Sequence, residues 1–140
     1  MSDRAVSNTP LLDFSDKKLL QPIPEDLHEL ASSYFTNTEL DLLQKAHSVA
    51  TEAHKNQFRQ EGSPYITHPI AVASILLKLN LDVETVCAGL MHDVLEDSVI
   101  KKSYLEKLFG KETIVIIDGV SNLNKLDFDS LEDRNANNLQ

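Results

Sequence analysis

Apolar residues recur at helical spacing through most of this chain, and caps and turn residues mark the breaks between the stripes. Leu27, Leu30 and Ala31 form a short stripe behind Pro24, with Glu25 and Asp26 in the first turn, where carboxylates meet the positive end of the helix dipole. Thr36-Asn37-Thr38-Glu39 fits a capping box, and Leu40, Leu43, Ala46, Ala50 and Ala53 follow it as one face of a longer helix. Gly62 and Pro64 break the period over residues 59–65, which predicts a loop. Beyond it Pro69 suits a first helical position, with Ile70, Ala73, Leu76, Leu77 and Leu79 behind it. Asp82 is the expected N-cap of the next helix, whose Val83, Val86, Cys87, Leu90 and Val94 run up to an acidic cluster. Ser103 to Glu106 matches another capping box, and Gly110 is placed to end that helix.

Thr113-Ile114-Val115-Ile116-Ile117 is the one stretch whose local propensity favours a strand. A single strand has no partner among helices, so a buried helix leading to Val120 and Leu123 is the better reading. The class is therefore all-α, with a loosely held leader over residues 1–22, one body over 23–128 and a polar tail over 129–140.

Composition narrows this further. At 140 residues and 41% hydrophobic, the chain suffices for one domain with a core. No apolar run reaches the length of a membrane span, and the first residues lack the basic-then-apolar order of a signal peptide, so the expected compartment is the cytoplasm. Cys87, the only cysteine, excludes a disulfide framework and reads as core. A net charge of −9 argues against long nucleic acid. A small anionic ligand would need a bound cation and a few local basic groups, for which Arg59 and Lys125 are the candidates.

The chemistry concentrates at His92-Asp93, followed three residues later by Glu96-Asp97, with His68-Pro69 upstream. On a helix, His92 and Glu96 stand four apart and Asp93 and Glu96 three apart, so the stretch can line one cleft with an imidazole and carboxylates. A divalent cation between the His92 and Asp93 directions, with His68 brought in from another element, would hold them together. The plainer alternative is a solvated helix end, but Met91, Val94 and Leu95 interleave with the polar residues and imply burial, where unpaired carboxylates are costly. His28, His47 and His54 read as surface or packing histidines.

Three stretches, AHKNQFRQEGSPYITHPIAVASIL, LDVETVCAGLMHDVLEDS and FGKETIVIIDGVSNLNKL, resemble in order and spacing the successive motifs of the hydrolase domain of the RelA/SpoT family, over residues 40–128. The resemblance implies a partial HD-type helical bundle and a manganese-dependent hydrolase. Such enzymes remove the 3′-pyrophosphate of the stringent-response alarmone (p)ppGpp to leave GDP or GTP. By position it assigns His68, His92 and Asp93 as metal ligands, Glu96 and Asp97 as the acidic pair that positions or activates water, and Arg59 and Tyr65 as nucleotide-binding loop residues.

The sequence departs from the family pattern at Gln60 and Asn122, where basic residues are usual, and Lys125 is the expected partial substitute. It also stops before the helix that carries the family's last metal-binding aspartate and before the synthetase domain. The chain taken alone is thus expected to be inactive or weakly active. An HD phosphohydrolase of another nucleotide and a non-catalytic helical interaction module are the competing readings; the RQEGSPYITHP loop favours the alarmone enzyme over the first, and the missing metal ligand is the best argument for the second.

Overall fold

The computed structural model describes residues 20–122. Its elements are α1 (Glu25–Ser32), α2 (Asn37–Ala53), α3 (Thr67–Lys78), α4 (Val83–Met91), α5 (Val94–Asp97) and α6 (Lys102–Phe109), followed by helical residues 111–122. The described residues contain no sheet strand, only an isolated antiparallel bridge between Phe58 and Pro64.

Helix α4 is the axis of the bundle, because its sequence leaves it no polar face. Every residue from Val86 to Met91 is buried, as expected of a helix that is apolar all round. Helices α2 and α3 pack along it, and α1 closes against both of them. Small residues set the spacing. Ala46 and Ala50 on α2, Ala73 on α3 and Ala88 on α4 are fully buried. At Gly89 a β-carbon would lie 2.6 Å from Leu76 Cδ1 and 3.3 Å from Val72 Cγ1, so α3 approaches as closely as it does because no side chain stands there. Gly89→Val should accordingly cost about 2–3 kcal/mol through overpacking, read as a lower midpoint in urea at unchanged slope.

The caps explain where the helices begin and end. The Thr36 box forms in both directions, with Thr36 N–H donating to Glu39 Oε1 at 2.9 Å and Glu39 N–H to Thr36 Oγ1 at 3.2 Å. Asp82 caps α4 by accepting from Thr85 N–H at 3.0 Å. Helix α3 ends in a Schellman arrangement around Asn80, at φ 63°, with Asn80 N–H on Leu77 O and Leu81 N–H on Leu76 O. Gly110, at φ 95°, separates α6 from the helix that follows.

The hydrogen bonds to Thr85 hold the Asp82 carboxyl below its ordinary pKa. Its contribution to stability is therefore complete above the unfolded value of about 3.8 and disappears as pH falls through the lower folded value. Asp82→Ala should lower stability by about 1 kcal/mol at neutral pH, discounted for exposure to solvent, and by nothing once the carboxyl is protonated. Thermal melts at both pH values check this.

Three local expectations need correction. Helix α3 starts at Thr67, so Pro69 is in its third position and His68 lies within the first turn. The Ser103 capping box does not form. Helix α6 begins two residues earlier, behind Lys101, with no side-chain cap. Nor do His92, Asp93 and Glu96 share one helix, since the helical pattern is interrupted between α4 and α5. The strand-prone segment is helical as expected, with Thr113, Ile114, Ile117 and Ser121 buried at helical spacing. Of the expected leader, Gln21 is tied to α2 through its N–H to Ser48 Oγ at 2.7 Å. Residues 1–19, Leu123, Lys125 and the expected tail lie outside the described residues.

Candidate metal centre

The interruption between α4 and α5 has a visible cause. His92 Nδ1 lies 2.7 Å from Gly89 O, the carbonyl to which a continuous helix would assign the Asp93 N–H. The backbone still turns in a helical sense, with His92 at φ −62°, ψ −27° and Asp93 at φ −99°, ψ −2°. Both side chains are thereby carried to the side where α3 begins. His68, in the first turn of α3, meets them there, and one ligand atom from each of His68, His92 and Asp93 lies within 4.8 Å of the others. Among the described residues these three form the one such group of His, Cys, Asp and Glu side chains.

The contacts inside the group suit a cation. A carbonyl accepts, so His92 carries its proton on Nδ1 and presents the lone pair of Nε2. That Nε2 is buried without a hydrogen-bond partner, yet it lies 3.0 Å from Asp93 Oδ2. The neighbouring His68 Nε2 is 3.8 Å from the same oxygen. Two acceptors this close repel unless the imidazole takes a second proton or a cation lies between them, and two imidazoles with a carboxylate are a donor set for manganese, zinc or iron.

Electrostatics reflects the same crowding. Burial alone would raise the Asp93 pKa, but close approach of His92, a hydrogen bond from Tyr65 and the charges of both histidines hold it at about 2. Burial works against protonating His92, and the Asp93 carboxylate overrides it and moves His92 upward. His68 moves down, through burial first and then the charge of His92. Tyr65 donates its hydroxyl to Asp93 Oδ2 at 2.5 Å. Burial and that carboxylate push the phenol well above its usual range, so it stays a donor.

The loop that supplies Tyr65 is a small hairpin. Arg59 N–H donates to Ser63 O and Tyr65 N–H to Gln57 O, at 2.8 Å and 2.9 Å. Side chains alternate along such a pair, which puts Gln57, Arg59 and Tyr65 on one face and Phe58, 64% exposed, on the other. Arg59 lies 3.8 Å from Glu61, and its charge reaches both Tyr65 and His68.

Of the acidic pair, Asp97 is coupled to the group. Its pKa is raised by partial burial, then by Asp93, and also by Glu96, while His54 and His92 act in the opposite sense. Both Glu96 and Asp97 are exposed side chains on α5. Sequence reasoning set His54 aside. It is 2% exposed at the end of α2, with Nδ1 2.9 Å from Gln57 Oε1 and its ring 4.7 Å from that of Tyr65. The signal available was the His-x-x-Gln spacing at the end of a helix that leads directly into the loop.

The profile of a family described as "HD domain" matches residues 46–140. Over 116 residues the chain is 42% identical to the bifunctional (p)ppGpp synthase/hydrolase SpoT of Escherichia coli K12, covering 83% of this chain and 16% of that protein. It is 47% identical over 92 residues to a guanosine-3′,5′-bis(diphosphate) 3′-pyrophosphohydrolase of Haemophilus influenzae, covering 66% of this chain and 14% of the relative. Against a GTP pyrophosphokinase of Myxococcus xanthus it is 34% identical over 134 residues, 94% of this chain and 18% of the relative. The chain thus spans less than a fifth of the length of these relatives.

Proposed function

The chain belongs to the HD domain family, and on that premise we propose that it carries the cation site of a 3′-pyrophosphohydrolase of guanosine tetra- and pentaphosphate, with manganese as the working ion. The observation that carries this reading is the pair of facing acceptors, His92 Nε2 and Asp93 Oδ2 at 3.0 Å, with His68 Nε2 beside them. Similarity to two proteins named for (p)ppGpp hydrolysis supplies the substrate class.

His68, His92 and Asp93 would hold the cation. When bound, such an ion lowers the pKa of water toward about 7 and neutralises phosphate charge. The remaining work falls to the protein. Tyr65 fixes the Asp93 carboxylate in place by donating to it. Glu96 and Asp97 are the candidates to take the proton of the attacking water, Asp97 being the one electrostatically coupled to Asp93. Arg59, on the same face of the hairpin as Tyr65, offers a planar cation that stacks on a purine and donates to phosphate. Lys125 would add positive charge toward the phosphates.

The test is release of pyrophosphate from ppGpp with manganese. The expected result is release with GDP as co-product, abolished by chelation and at least about tenfold faster than from GTP, because only the alarmone carries the 3′-pyrophosphate. Equal rates with GTP, or a chain that binds no divalent cation, would overturn the reading.

A further inference from the structure

Gln57 uses both ends of its carboxamide. Its Nε2 donates to Asp97 O at 2.7 Å and to Ala53 O at 3.2 Å. With both protons committed to carbonyls, the atom facing His54 Nδ1 at 2.9 Å is Oε1, so His54 must carry its proton on Nδ1. The orientation of the amide and the tautomer of the imidazole therefore fix each other.

This pair touches the site on two sides. The buried His54 ring lies tilted against Tyr65, whose hydroxyl binds Asp93 Oδ2. Gln57 holds the backbone of the turn that follows the acidic pair, across 40 residues of sequence. Three further hydrogen bonds of the turn are local, from Asp97 N–H to Asp93 O, from Ser98 Oγ to Val94 O and from Ile100 N–H to Ser98 Oγ. On its outer side the turn borders a cavity of about 310 Å3, whose lining includes Glu52, Lys55 and Val99.

We infer that His54 and Gln57 form a clasp that positions the Glu96-Asp97 turn and Tyr65 against the ligand triad. They are positioning residues, and neither is a ligand. The inference rests on the hydrolase reading for its effect on turnover, whereas its effect on the turn does not depend on that reading. A displacement of about an ångström at reacting groups is enough to lower a rate by about a hundredfold. A clasp that holds only one side of the turn should be worth less.

The experiment compares Gln57→Glu, His54→Leu and His54→Asn with the parent chain. Gln57→Glu keeps size and the acceptor for His54 but loses both donors. His54→Asn retains a donor near the Nδ1 position, and His54→Leu removes it. In Gln57→Glu and His54→Leu, amide hydrogen exchange at residues 97–100 should speed up at least about tenfold while manganese affinity, measured by calorimetry, stays within about threefold. Where the parent releases pyrophosphate, kcat should fall by about 10- to 50-fold at unchanged KM. His54→Asn should recover most of both effects. Unchanged exchange in Gln57→Glu would overturn the clasp. So would His54→Asn no better than His54→Leu with losses that follow the melting temperature, since that marks a packing role. A parent chain that binds no manganese defeats the hydrolase reading instead, and the exchange results still decide the clasp.

Discussion

Asp93→Asn is expected to abolish cation binding and, with it, pyrophosphate release, while leaving the fold intact. Asp93 is the anionic member of the triad, and its Oδ2 is the atom that Tyr65, His68 and His92 all approach. With its amide nitrogen in the place of Oδ2, asparagine can donate to the buried Nε2 of His92, which has no hydrogen-bond partner, and to the Tyr65 hydroxyl, which then accepts instead of donating. The substitution thus repairs an internal conflict while removing the charge that attracts a cation. Changes that merely disturb a ligand's support cost about 10- to 100-fold in affinity, so loss of the ligand itself should cost at least about a hundredfold for manganese. Calorimetry or the loss of free-ion signal in electron paramagnetic resonance measures it. A variant that binds manganese within about threefold of the parent would mean that the ion, if any, sits elsewhere. A variant that no longer folds would show instead that Asp93 is held for stability.

How much of this was readable from the sequence depended on whether the signal was local. The α4 segment is apolar at every position from Val86 to Met91, which leaves only a central helix as its place. The Thr36 box and the Asp82 cap were legible for the same reason, since residue type and spacing suffice to form them. Ser103 failed because a capping-box pattern does not set where a helix begins. The chain turned helical two residues earlier, behind Lys101. Pro69 was misplaced in the same way. Proline tolerates any position of the first turn, where its missing N–H has no intrahelical partner to lose.

The site was legible as a set of residue types and illegible as an arrangement. His68, His92 and Asp93 stand out as types that bind metals, yet the break between α4 and α5 follows from a side-chain bond, His92 Nδ1 to Gly89 O, that no periodicity contains. Spacing along an unbroken helix would have given Glu96 the same standing as Asp93. The interrupted backbone instead gives Asp93 to the triad and leaves the acidic pair on a separate short element. His54 and Gln57 were harder still. A histidine in a helical stripe looks like packing, and only the tertiary contact between Gln57 and Asp97 shows what it is packed for.

That separate element yields a prediction with a distinct signature. Asp97→Asn and Glu96→Gln should each lower turnover by about a hundredfold or more, in the range of a lost proton-transfer group, while leaving manganese affinity within about threefold. Asp97 should show the larger effect. Its carboxyl lies within electrostatic reach of Asp93 and His92, two of the proposed ligands. Both side chains are exposed, so neither neutral variant should alter stability by more than about half a kcal/mol. Single-turnover pyrophosphate release, beside a manganese titration of each variant, separates the possibilities. Turnover unchanged in both variants removes the acidic pair from the reaction. A collapse of manganese affinity in Asp97→Asn reclassifies that residue as a ligand and enlarges the triad to four.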